Sequence, residues 1–169
     1  MKLAVIYDSV TGNTRQAAEW IAEGMRKAGA EAECFFIDSA DKEYIRDASG
    51  VVIGSPSYVA SVTPKMRDWL MKAGGMGMAG KLGGAFSTVQ YTHGGGELVI
   101  QTILTAELCF GMLCYSGGSS QGEPIIHTGP VGVNGNKEKH NSLEYYRENF
   151  TVFGERFALK AAELFGTEK

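Results

Sequence analysis

Leu3-Ala4-Val5-Ile6-Tyr7-Asp8-Ser9-Val10-Thr11-Gly12-Asn13-Thr14 sets the architecture from the start of the chain. Leu3–Tyr7 is a short, unbroken apolar run, the pattern of a strand covered on both faces in a parallel sheet. A polar loop follows. From Thr14 to Ala28 the residues Ala17, Ala18, Ile21, Ala22 and Met25 recur on one helical face, and Gly29 stands just past the end.

Working outward, strands are expected at Glu31–Ile37, Gly50–Gly54, Lys81–Val89 and Met112–Tyr115, with Val51-Val52-Ile53 at the heart of the third. Thr63-Pro64 opens a helix with a hydroxyl cap and a proline in the first turn; Met66, Trp69 and Leu70 give its apolar face, and Gly74-Gly75 stop it. A further helix is expected from Glu97 to Phe110. A last one from Asn141 to Leu164 carries Leu143, Tyr146, Phe150, Phe153, Phe157, Ala161 and Leu164 in steps of three and four, a core-facing stripe. Strands alternating with helices predict an α/β fold, doubly wound around a parallel sheet. Ser116–His140 is rich in turn residues, with Ile125-Ile126 as a possible short strand; a loop that long in a compact domain points to function.

Composition excludes several classes. Over 169 residues, 44% are hydrophobic, 21% are charged and the net charge is -3, which argues against disorder and offers nothing to nucleic acid. No run of 18 apolar residues occurs, so no membrane span is expected, and Leu3–Tyr7 is too short for a signal peptide. Cys34, Cys109 and Cys114 form no CxxC pair; they read as buried small hydrophobes, and the expected compartment is the cytoplasm. Sixteen of the 23 glycines lie between Gly74 and Gly135, where charge is sparse, which suggests backbone approaching a ligand, a buried sheet or a subunit contact.

The loop Ser9-Val10-Thr11-Gly12-Asn13-Thr14 carries the chemistry. Backbone N–H groups at a helix start, the positive end of the dipole, four hydroxyl or amide side chains and a glycine together make a phosphate site without Lys or Arg. There is no GKS or GKT of a triphosphate P-loop and no GxGxxG of a dinucleotide fold. The loop resembles the FMN phosphate loop of flavodoxin-like proteins. That resemblance implies a five-stranded sheet in the order 2-1-3-4-5 and FMN at the strand switch point, and the chain length with no splitting linker predicts one domain over residues 1–169.

Two other loops should reach the same edge. After the third strand stand Pro56, Ser57, Tyr58, Val59 and Ala60. After the fourth stand Ser87, Thr88, Val89, Gln90, Tyr91, His93, Gly94, Gly95 and Gly96. Tyr58 and Tyr91 offer rings to a flat ligand, and the second loop offers backbone N–H groups to its pyrimidine edge. Gly54-Ser-Pro-Ser-Tyr, Met66-Arg67-x-Trp69-Leu70, Lys81-Leu-x-x-x-Phe86-Ser87-Thr88 and Gly94-Gly95-Gly96-Glu97 resemble NAD(P)H:quinone oxidoreductases of the tryptophan-repressor-binding-protein type. The likeness runs from Lys2 to about Met112. Where those proteins carry Arg-Phe-Gly-Asn this chain has Tyr58-Val59-Ala60-Ser61, and Cys109-Phe110 replaces a His-His pair.

The resemblance implies an FMN flavoprotein that takes electrons from NAD(P)H and passes two to a quinone or similar acceptor. The candidate cofactor-binding residues are Ser9, Thr11, Gly12, Asn13 and Thr14 with those of the two later loops. No side chain is expected to act as acid or base, because the flavin carries the chemistry. A flavodoxin-type electron carrier is the alternative reading. The apolar surround of Leu98–Phe110, and the resemblance itself, point to a homo-oligomer, a dimer or tetramer.

Overall fold

The computed structural model describes residues 1–135 and 142–166. β1 (Lys2–Tyr7) lies between β2 (Glu31–Phe36) and β3 (Gly50–Pro56), and β3 is followed by β4 (Leu82–Val89) and β5 (Leu113–Cys114). All these pairs are parallel, in the order β2-β1-β3-β4-β5, so the strand order reverses between β1 and β3.

The apolar runs of β1, β3 and β4 alternate between two cores, as period-two side chains must. Val5, Val52 and Phe86 face α1 (Asn13–Lys27) and α5 (Arg147–Phe165). Ile6, Ile53 and Ala85 face α3 (Pro64–Ala73) and α4 (Gly96–Cys109), with a short α2 (Lys42–Asp47) beside them. Phe86, Phe150, Phe153 and Phe157 are fully buried, each contributing roughly 1.5–3 kcal/mol. α1 and α5 meet through two glycines: a Cβ on Gly24 would come within 1.9 Å of the Thr151 carbonyl oxygen, and one on Gly154 within 2.0 Å of that of Ile21.

The Thr63-Pro64 start is as expected: the Thr63 side chain accepts from the Met66 N–H, and Pro64 opens α3. α2 was not anticipated. Its six residues are too few to show a period, but Asp41 caps it, accepting from the Glu43 and Tyr44 N–H groups at 2.9 and 3.1 Å.

The far edge of the sheet departs from the expectation of one strand at Met112–Tyr115. β5 pairs only with the start of β4, at Leu82 and Gly83, and β6 (Val131–Val133) pairs with its end, at Ser87, Thr88 and Val89. The fifth position in the sheet is therefore filled by two short pieces with residues 115–130 looping out between them. Ile125-Ile126 is not a strand; Ile126 is buried in the core and Ile125 is exposed. Arg156 of α5 pins this loop by donating to the carbonyls of Gly117, Gln121, Gly122, Glu123 and Pro124 at 3.0–3.5 Å.

The expected start of the last helix at Asn141 lies outside the described residues, as do the end of Ser116–His140 and the C-terminal 167–169. A 3-10 turn over Leu143–Tyr146 leads into α5. The cysteines also differ from the expectation: Cys34 is half-buried, while Cys109 at the end of α4 and Cys114 on the edge strand are exposed. Among the described residues, no helix is long and apolar enough to cross a membrane.

Candidate functional site

The loop between β1 and α1 closes on itself. Ser9 Oγ accepts from the Gly12 N–H at 3.1 Å and the Arg15 N–H at 3.3 Å, which leaves its own O–H free to donate. Gly12, the residue before α1, sits at φ +94°, a conformation that suits glycine. Asn13 Nδ2 donates to Thr11 Oγ1 at 3.2 Å. No hydrogen bond among the described residues takes the backbone N–H of Asn13 or Thr14, so these two first-turn donors are available to an anion. Thr14 is buried below the loop, its hydroxyl 2.8 Å from that of Thr88.

The second loop is a tight hairpin. Tyr58 and Ser61 exchange backbone hydrogen bonds at 3.0 and 3.1 Å across Val59 and Ala60. Both turn residues have positive φ, 52° and 55°, a left-handed geometry that strains a β-branched valine. The hairpin is clasped to the third loop at two points. Ser57 Oγ donates to the Gly94 carbonyl at 2.6 Å. Ala60 rests on Gly95, where an added Cβ would come within 2.5 Å of the alanine's own Cβ.

The third loop leaves β4 at Val89 and turns at Tyr91, whose carbonyl accepts from the Gly94 N–H at 2.8 Å. The Gln90 and Tyr91 N–H groups have no partner among the described residues. β6 delivers Asn134 to the same place: its N–H donates to the Val89 carbonyl at 2.9 Å and its Nδ2 to Asn13 Oδ1 at 2.8 Å.

Together the loops enclose a cavity of about 740 Å³. Thr11 and Asn13 line one end; Pro56, Ser57, Tyr58, Val59 and Ala60 form one wall; Thr88, Val89, Gln90, Tyr91, His93 and Gly94 form the other; Asn134 closes the side. Thirteen of these fourteen are residues expected from the sequence. Of the remaining expected residues, Gly12 borders a second, polar cavity on the other side of the loop. Ser9 and Thr14 brace the loop from within, and Ser87 is buried, its hydroxyl donating to the Ser55 carbonyl at 3.1 Å. Gly95 and Gly96 pack the clasp, against Ala60 and Val131. Asn134 is the residue that sequence reasoning missed. A lone asparagine in a turn-rich stretch carries no signal, and only the pairing of β6 with β4 brings it beside Asn13.

A titration shift set by burial lies away from the cavity. Glu107 of α4 is fully buried, and burial raises its carboxyl well above the usual range, against lowering by a contact with the Cys114 thiol and the Gly84 backbone. The Cys114 thiol is itself pushed up to about 11 by its own desolvation and by the nearby carboxyl. Among the described residues, the lining of the cavity includes no Asp, Glu, Lys or Arg. Among the described residues, no group of three His, Cys, Asp or Glu is placed to hold a metal ion.

A crevice at the strand switch point, with amide donors at one end, two exposed tyrosines on its walls and room within the 300–1,000 Å³ usual for small-molecule sites, suits a phosphorylated aromatic cofactor. Fold and crevice define a flavodoxin-like protein. Residues 1–122 match the family model for NADPH-dependent FMN reductase. A flavodoxin from Clostridium saccharobutylicum is 36% identical over 98% of this chain and 100% of its own length. An NAD(P)H dehydrogenase (quinone) from Cupriavidus metallidurans is 30% identical over 98% and 99%. Among solved structures, an archaeal flavodoxin superposes with a TM-score of 0.74 at 19% identity, covering 95% of this chain and 99% of that one. A flavodoxin, WrbA-like protein from Agrobacterium tumefaciens does so with a TM-score of 0.71 at 20% identity, covering 96% and 98%. The chain belongs to the NADPH-dependent FMN reductase family, and with that family come FMN as the cofactor and NAD(P)H as the electron donor.

Proposed function

We propose that the protein, one domain over residues 1–169, oxidises NAD(P)H through FMN and delivers two electrons to a quinone or a similar neutral acceptor. The observation that carries this reading is the crevice itself: three loops clasped into a cavity whose lining, among the described residues, has no Asp, Glu, Lys or Arg. Bound FMN supplies the redox chemistry.

The chain binds and orients. Ser9, Thr11 and Asn13, with the first-turn N–H groups of α1, hold the phosphate; Asn134 fixes the Asn13 side chain. Tyr58 and Tyr91 wall the ring, and the Gln90 and Tyr91 N–H groups face its polar edge, where they stabilise negative charge. Val59, fully exposed at the hairpin tip, and Tyr91 form an apolar lip that favours an uncharged aromatic acceptor over a charged one.

Likeness to a flavodoxin over the whole chain supports a second reading, an electron carrier that docks redox proteins. Among the described residues, the lining offers such docking no charged side chain. Steady-state oxidation of NAD(P)H with benzoquinone, after loading with FMN, separates the two. Turnover well above that of free FMN is expected, and turnover equal to it would reject the enzyme. Leu98 and Leu108 on α4 are 58% and 60% exposed, which supports a homo-oligomer. Sedimentation that shows only monomer would count against it.

A further inference from the structure

Asp8 follows β1 directly, at the point where the strand order reverses. It is 3% exposed. Its Oδ1 accepts from the Ser9 N–H at 2.9 Å, and its Oδ2 accepts from Thr63 Oγ1 at 2.5 Å. The Thr63 hydroxyl donates to Asp8 while its oxygen accepts from the Met66 N–H at 3.0 Å. Both contacts are donors, the set that an ionised carboxylate needs. No ion pair among the described residues includes Asp8. A buried carboxylate without a cation is costly, and capping α3 does not require one, because the Thr63 side chain already caps it.

The place of this charge matters. The Asp8 N–H donates to the Gly54 carbonyl at 3.1 Å, which aligns Asp8 with Ser55, and Ser55 pairs with Ser87 on β4. One residue further along, Pro56 and Thr88 line the cavity. With strands spaced about 4.8 Å apart, the Asp8 backbone lies two strands, on the order of 10 Å, from the cavity floor at β4.

We infer that Asp8 sets the reduction potential of the bound flavin, as a fixed, uncompensated negative charge that disfavours the reduced ring. The inference rests on the FMN reading above. Reduction by two electrons with uptake of one proton adds one negative charge to the ring. The phosphate keeps its charge in both states, so its repulsion by Asp8 cancels from the comparison. Across about 10 Å at an effective dielectric of about 20, the remaining repulsion changes the relative affinity for reduced and oxidised flavin by roughly tenfold.

The test is an anaerobic titration of FMN-loaded protein against a redox dye of known potential, after loading has been measured for each variant. Asp8→Asn keeps the shape and removes the charge; Thr63→Val removes the hydrogen bond and keeps the charge. Asp8→Asn is expected to raise the two-electron midpoint by about 30 mV, the equivalent of that tenfold change, while Thr63→Val does not raise it. An unchanged or lower midpoint in loaded Asp8→Asn overturns the inference, and so does an equal rise in both variants. Asp8→Ser serves if Asp8→Asn does not load, and failure of both to load a folded protein assigns Asp8 to loop shape and overturns the inference. Wild-type protein that does not bind FMN overturns it together with the reading beneath it.

Discussion

The hydroxyls of Thr14 and Thr88 lie 2.8 Å apart, buried beneath the junction of the first and third loops. One belongs to the first turn of α1, the other to the end of β4, and they are 74 positions apart in the chain. The contact ties the first loop to the end of β4, and so joins the proposed phosphate end of the crevice to the wall proposed to meet the ring.

Removing one partner leaves the other buried hydroxyl without this hydrogen bond, at a cost of about 1–2 kcal/mol. Thr14→Val should therefore weaken FMN binding by roughly tenfold, measured by quenching of flavin fluorescence. Thr14→Ser keeps a hydroxyl and should bind within a few-fold of the wild type. Equal losses in both variants would show that the methyl group, and not the hydroxyl, matters.

Gly95 holds the clasp between the second and third loops. At φ +76°, with Ala60 within 2.5 Å of any added Cβ, Gly95→Ala cannot be accommodated without parting the hairpin from the third loop. FMN affinity should fall by roughly tenfold or more, while the melting temperature drops by only a few degrees, because the clasp lies outside both cores. A variant that binds FMN normally would show that the loops do not need to touch.

Val59 carries strain with no packing in return: φ is 52° and the side chain is fully exposed. Asparagine tolerates this conformation far better. Val59→Asn should stabilise the apoprotein by about 0.5–1 kcal/mol, seen as a rise in melting temperature. The loss of an apolar lip should raise the KM for benzoquinone at the same time. A lower melting temperature would show that the valine is not strained.

Glu107 gives stability a pH dependence of known sign. Its carboxyl titrates near 4.5 in the unfolded chain and well above that when buried, so between those two values the folded state holds the proton more tightly. Stability must then fall as pH rises through that window. Glu107→Gln, which mimics the neutral acid, should be more stable than the wild type at pH 8 and nearly equal to it at pH 4, by thermal denaturation. A stability difference that does not vary with pH would contradict the assignment.

The fold was readable where a strand is buried on both faces. Leu3–Tyr7 and Val51–Ile53 are apolar without a break, and Thr63-Pro64 marks its helix start chemically. The fifth sheet position was not readable, because it is split into Leu113–Cys114, whose residues are exposed, and Val131–Val133, and neither piece is long enough to show a pattern. Cys109 and Cys114 have apolar neighbours in sequence, yet a helix end and a sheet edge turn them outward. Glu107 is the converse case: the single charged residue of Leu98–Phe110 faces inward.

The gathering of the three loops around one crevice was readable because hydroxyl, amide and glycine residues cluster after three strands whose ends a doubly wound sheet brings together. Asn134 was not, because its place depends on the return of β6 to β4 across the long loop. The burial of Asp8 is likewise invisible in a sequence, where an acid after a strand reads as the start of a solvated turn.

The most direct test of the crevice compares FMN with riboflavin in equilibrium titrations at low and high salt. FMN should bind one per chain with its fluorescence quenched, riboflavin should bind at least tenfold more weakly, and FMN affinity should change little with salt because amides, not surface cations, hold the phosphate. Equal affinity for the two flavins, or no binding of FMN, would contradict the assignment of the first loop as the phosphate site.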